Sequence, residues 1–92
     1  QGCISVVSNI APALCSQLHT AWAAGDTATA LALHQKLMPL HEDLFIEASP
    51  GPVKYAASLL GLCGPTTRLP LCEISDSSKA AVKDALVAAE LL

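Results

Sequence analysis

Positive charge is scarce in this sequence. Five Lys and Arg are scattered along 92 residues against eight Asp and Glu, giving a net charge of −3. Nothing gathers them into a patch that could neutralise a phosphate backbone, which argues against a nucleic-acid partner. Long apolar runs are missing too. His, Asp, Lys or Pro interrupts every candidate well short of the ~20 residues that span a bilayer, so no membrane partner is expected. There is no Met at the start and no basic lead-in, and an apolar segment follows Gln1 at once. No signal peptide is read there, and such an opening points to the middle of a longer chain. The four cysteines, Cys3, Cys15, Cys63 and Cys72, include no CxxC pair. Disulfide scaffolds are loop-rich, the opposite of the helical pattern below, so all four are expected to be reduced, mostly buried thiols of a cytosolic protein.

Polar cover is thin as well: only 14% of residues are charged and 52% are hydrophobic. A small domain can hide only part of its apolar atoms. Some of that surface is therefore expected to meet another piece of protein, although Ala, which sits as easily on a helix surface as in a core, supplies much of the count.

What the chain does contain reads as one strand and four helices. Cys3-Ile4-Ser5-Val6-Val7 is short and β-branched, the pattern of a buried strand. No second convincing strand follows to pair with it, so its neighbours must lie elsewhere. Pro12 opens a first helix with Leu14, Leu18, Ala21 and Trp22 on its apolar stripe, and Gly25 ends it. Asp26 or Thr27 caps a second helix whose Leu33, Leu37, Leu40 and Leu44 stay in phase across Pro39, as expected of one bent helix. Pro52 opens a third, striped by Val53, Ala56, Ala57 and Leu60, with Gly61 and Gly64 at its end. Residues 66–74 read as an extended connection. Ser75 caps a fourth helix with Val82, Leu86 and Ala89 on one face, running to the end of the chain. A strand feeding a helix is half of a βα unit, which belongs in a parallel sheet or barrel.

Candidate chemistry is sparse. Cys15 and His19 share a helix face at i, i+4, but a closed zinc site wants four N or S ligands. His34 and His41 stand two turns apart near Glu42, Asp43 and Glu47, and read as a solvated face rather than an acid–base pair. Gly61-Leu62-Cys63-Gly64 lacks the order of a phosphate loop and reads as a helix stop. Lys54 could form a Schiff base only if desolvated. No catalytic residue and no metal or cofactor site is read from these residues.

Several stretches in order resemble the C-terminal part of the dihydrodipicolinate synthase family. They are Gly2 to Ala11, Lys36-Leu37-Met38-Pro39-Leu40-His41, Leu44-Phe45 with Glu47, Pro50 to Ala56, Leu59 to Leu62, Arg68-Leu69-Pro70-Leu71 and Leu91-Leu92. The resemblance implies a mainly α segment: the last β-strand and helix of a (β/α)₈ TIM barrel over residues 1–25, then a three-helix C-terminal tail over 26–92. It implies a cytoplasmic class I pyruvate aldolase, a homotetramer, that condenses pyruvate with aspartate semialdehyde in lysine biosynthesis. The Schiff-base lysine would lie in the missing N-terminal barrel portion. Of the family's roles only one maps here, the pyruvate pocket lined by the backbone of Ile4. Ala48, Ser49 and Gly51 depart from the family's usual Glu-Pro-Asn-Pro-Ile-Pro, implying a more flexible connection. Val7 stands where Thr is common. The rival readings are a stand-alone helical interaction module and a segment of a related sugar-acid pyruvate lyase.

Overall fold

The computed structural model describes residues 2–92. Its elements are a 3₁₀ turn at Val7–Asn9 and four helices, α1 (Pro12–Ala23), α2 (Thr27–Asp43), α3 (Gly51–Leu59) and α4 (Asp76–Ala88). The expected strand is absent: among the described residues there is none, and Cys3 to Ser5 run without regular structure into the 3₁₀ turn. The reason is pairing. A strand needs a ladder partner for its N–H and C=O groups. Here the Ser8 and Asn9 side chains take over the local carbonyls instead, with Ser8 Oγ donating to Ser5 O at 3.0 Å and Asn9 Nδ2 to Val6 O at 3.0 Å. Val7, read as the end of a strand, is 1% exposed in the helical core.

The helix boundaries follow the punctuation of the sequence. Pro12 occupies the first turn of α1, where a missing N–H leaves nothing unsatisfied. Asp26 caps α2 by accepting from Thr29 N–H at 3.1 Å. The helix then runs unbroken across Pro39 to Asp43, as the in-phase leucines required. Ser75 caps α4, its hydroxyl accepting from Ser78 N–H at 3.2 Å. Three helix ends share one device. Gly25, Gly61 and Glu90 stand two residues past the last helical position with φ of 76°, 74° and 59°. The N–H of the next residue, Asp26, Leu62 or Leu91, reaches back to Ala21, Ala57 or Leu86 O at 2.9 Å, the double-bonded closure that a left-handed residue permits. α4 therefore stops at Ala88 and does not continue to the end of the chain.

α2 is the spine. It packs against α1 on one side and α4 on the other, α3 packs on α4, and the 3₁₀ turn bridges α1 and α3. Leu37 and Leu40 of the spine and Leu44 just past its end are fully buried together with Val7, Val82 and Leu86. Leu33 is only half-buried. The stripe of α1 is less well covered: Ala21 is buried, Leu14 and Leu18 are half-buried, and Trp22 is 68% exposed. The four cysteines are free, as expected, but not mostly buried. Cys3, Cys63 and Cys72 are exposed, each outside the helices, and Cys15 on α1 is half-buried against the core. Gly51 does not simply loosen its connection. It is buried at the start of α3, and a Cβ there would lie 2.8 Å from Ile74 Cγ2.

Two longer-range ties complete the fold. Glu47 accepts from the Ser75 N–H at 2.9 Å and the Ser75 hydroxyl at 3.1 Å, joining the chain beyond α2 to the start of α4. Lys36 and Glu90 pair at 2.9 Å across α2 and the end of α4.

Candidate functional site

The N-terminal segment and the α1–α2 layer enclose an open cavity of about 420 Å³, whose lining includes Cys3, Ser5, Cys15, His19, His34 and His41. The three histidines and two of the four cysteines thus converge on one place. The arrangement does not make a catalytic centre. Burial pushes the Cys15 thiol up from its ordinary value, and the neighbouring Cys3 adds to the shift, while a hydrogen bond with the Ser5 side chain opposes it. A thiol shifted upward is protonated at neutral pH and is a poor nucleophile. The His34 and His41 rings lean together to 6.5 Å between centroids, tilted by 33°, closer than two turns of helical rise alone place them. Among the described residues no cluster of three or more His, Cys, Asp or Glu is placed to hold a metal ion.

Lys54 has a structural partner: its Nζ donates to Thr66 O at 2.6 Å, tying the first turn of α3 to the connection that follows. This contact between residues twelve apart has no periodic signature in the sequence. The Gly61–Gly64 stretch ends α3, as expected of a helix stop.

Ile4 behaves differently from its neighbours. Cys3 and Ser5 line the cavity over α1 and α2, while Ile4 is fully exposed. Side chains that alternate between faces are the mark of extended chain. Among the described residues no hydrogen bond uses the backbone of Gly2, Cys3 or Ile4.

A segment poised as a strand without partners, set on a helical layer, suits a larger fold. A family model, that of the dihydrodipicolinate synthetase family, matches residues 1–89. The chain belongs to this family. Among its dihydrodipicolinate synthetase relatives, the 4-hydroxy-tetrahydrodipicolinate synthase of Bradyrhizobium diazoefficiens is 58% identical over 91 residues, covering 99% of this chain and 31% of that protein. The same enzyme from Gluconacetobacter diazotrophicus is 55% identical over 92 residues, all of this chain and 31% of that one. The solved dihydrodipicolinate synthase of Thermotoga maritima superimposes with a TM-score of 0.95 at 37% identity, covering 100% of this chain and 31% of its own. The chloride-inhibited enzyme of Acinetobacter baumannii, solved with pyruvate, does so with a TM-score of 0.89 at 36% identity, over 97% of this chain and 31% of its own. The chain thus spans about a third of the length of the family members it matches.

No helix of the described residues is long and apolar enough to cross a membrane.

Proposed function

We propose that these residues are the C-terminal segment of a class I aldolase, a dihydrodipicolinate synthase that condenses pyruvate with aspartate semialdehyde in lysine biosynthesis. Residues 1–25 supply the last βα unit of its TIM barrel and residues 26–92 its helical C-terminal domain. The observation that carries the reading is the state of Cys3-Ile4-Ser5. Two side chains face the helical layer, the middle one is fully exposed and, among the described residues, no hydrogen bond reaches the backbone of Cys3 or Ile4. Barrel neighbours on both sides of this segment would pair its backbone and cover Ile4. Ile4 would then stand near the end of the last strand, where barrel enzymes keep their active sites, with its backbone lining the pyruvate pocket. The partner is the preceding barrel portion, the working assembly is a homotetramer and the compartment is the cytoplasm. Lys54 is not the Schiff-base lysine in this reading, since its ammonium is engaged by Thr66 O.

The test is a chimera that joins the N-terminal two-thirds of the Bradyrhizobium diazoefficiens relative to these residues. The chimera is expected to trap pyruvate covalently on borohydride reduction and to condense it with aspartate semialdehyde, while the 92-residue chain alone does neither. A folded chimera that traps no pyruvate defeats the reading, and so does condensation by the chain alone.

A further inference from the structure

Two of the five basic side chains share a cleft. Lys54, in the first turn of α3, and Arg68, in the connection after it, line a hollow of about 410 Å³ with Thr66, Thr67, Pro50 and Leu71. The other cations are disposed differently. Lys36 is paired with Glu90, Lys79 is paired with Glu73 and lies 3.7 Å from Asp76, and Lys83 stands exposed on α4. Among the described residues no carboxylate comes within ion-pair distance of Lys54 or Arg68. That is unusual economy in a chain of net charge −3, where acidic groups outnumber basic ones.

The surroundings add to the positive potential. Lys54 sits at the N-terminal end of α3, where the helix dipole already favours negative charge and disfavours a cation. Its Nζ donates to Thr66 O at 2.6 Å, which fixes the ammonium over the cleft and leaves it further protons to donate. A turn in which Leu71 N–H donates to Arg68 O at 3.1 Å holds the backbone that carries the guanidinium. Arg68 is exposed, and among the described residues it enters no ion pair. An ammonium, a five-donor planar fork and two threonines around one hollow make up the donor set of an oxyanion site.

We propose that the Lys54–Arg68 cleft binds a small oxyanion, a phosphate or a carboxylate, between α3 and the connection that follows it. Lys54 supplies a fixed point charge, Arg68 binds two oxygens side by side, and the threonine hydroxyls fill the remaining lone pairs.

The test is equilibrium dialysis of the 92-residue chain against radiolabelled inorganic phosphate at constant ionic strength, with pyruvate as competitor. One saturable site per chain is expected. Arg68→Gln should weaken it about tenfold, as expected for loss of a charge-assisted pair, with the far-UV circular dichroism unchanged. Lys83→Gln, which removes an exposed charge outside the cleft, should leave binding intact. Displacement by pyruvate below the phosphate concentration marks a carboxylate site, and resistance to it marks a phosphate site. Non-saturable uptake, or equal binding by Arg68→Gln, overturns the proposal. So does a site present in the 92-residue chain but absent from the active chimera, since a protein carboxylate would then fill the cleft.

Discussion

Glu47 shows how much a single exposed side chain can organise. The Ser78 hydroxyl, the Ser75 N–H and the Ser75 hydroxyl hold its carboxyl below the ordinary 4.5. The Thr29 hydroxyl and N–H do the same for Asp26 relative to 3.8, and the Lys79 ammonium does so for Glu73. A depressed carboxylate pKa in the fold means that the unfolded chain takes up the proton first. The stabilisation is therefore complete above the unfolded value and is lost as pH falls through the folded one. Lys79, raised by its bond to Glu73, works in the opposite sense: its contribution is complete below the unfolded value and is lost as pH rises through the raised one. Stability should thus decline on acidification below about pH 4.5, the ordinary Glu value. Urea titrations across pH 3 to 7, roughly the range over which carboxylates protonate, should give a flatter acid limb for Glu47→Gln than for the parent. An unchanged limb would show that the Ser75 clasp does not act through charge. The Asp26 cap was legible in the sequence, but the Glu47 clasp was not, since Glu47 reads there as one member of an acidic cluster. Ser75 stands 28 residues away, and no local periodicity announces it.

At the scale of the element, the sequence was far more informative. Pro12, Asp26, Pro52, Gly61 and Ser75 mark helix ends by chemistry confined to a few neighbouring residues, and the structure places the ends beside them. The strand failed for the complementary reason: β-branching at Ile4, Val6 and Val7 describes a surface, while a strand is made by partners. The α4 terminus was misjudged because Glu90, unlike Gly25 and Gly61, gives no hint of a left-handed conformation. The three closures offer a comparison. A Cβ at Gly25 or Gly61 would meet nothing within 4 Å, so Gly25→Ala and Gly61→Ala isolate the backbone cost, about 1 kcal/mol each. Glu90→Gly relieves the same strain. Against this stand the greater freedom of an unfolded glycine and the loss of the Lys36 pair, an exposed contact of about 0–1 kcal/mol. These terms nearly cancel, and the change should stay within about 0.5 kcal/mol. Chemical denaturation of the three variants checks the contrast. Glycine variants as mild as Glu90→Gly would mean that the closures contribute little.

The whole molecule measures 43 × 24 × 21 Å, a long body with its best packing around α2 and α4 and its poorest on the outer face of α1. Thin polar composition had suggested an apolar surface awaiting protein; exposed Ile4 and Trp22 lie on residues 1–25, and Leu31, Phe45, Leu62 and Leu69 are exposed on the rest of the chain. The separation of residues 1–25 from 26–92 is a proposal about the larger enzyme. Within this chain α1 and α2 pack directly.

The connection between α3 and α4 carries a consequence for chain cleavage. It is mostly exposed, lacks regular structure around Arg68, and joins two helices that already pack on one another. The remaining basic residues lie within helices, where a protease cannot easily take up the backbone. Brief trypsin treatment should therefore cut first after Arg68. The Glu47 clasp, the Lys36–Glu90 pair and buried Val82 and Leu86 all act across that cut. The two products should co-elute under native conditions and separate only in denaturant, whereas early dissociation would show that the connection itself holds α4 in place. Covalent continuity at this point would then be dispensable, and the chain could be supplied as two complementary pieces that reassemble.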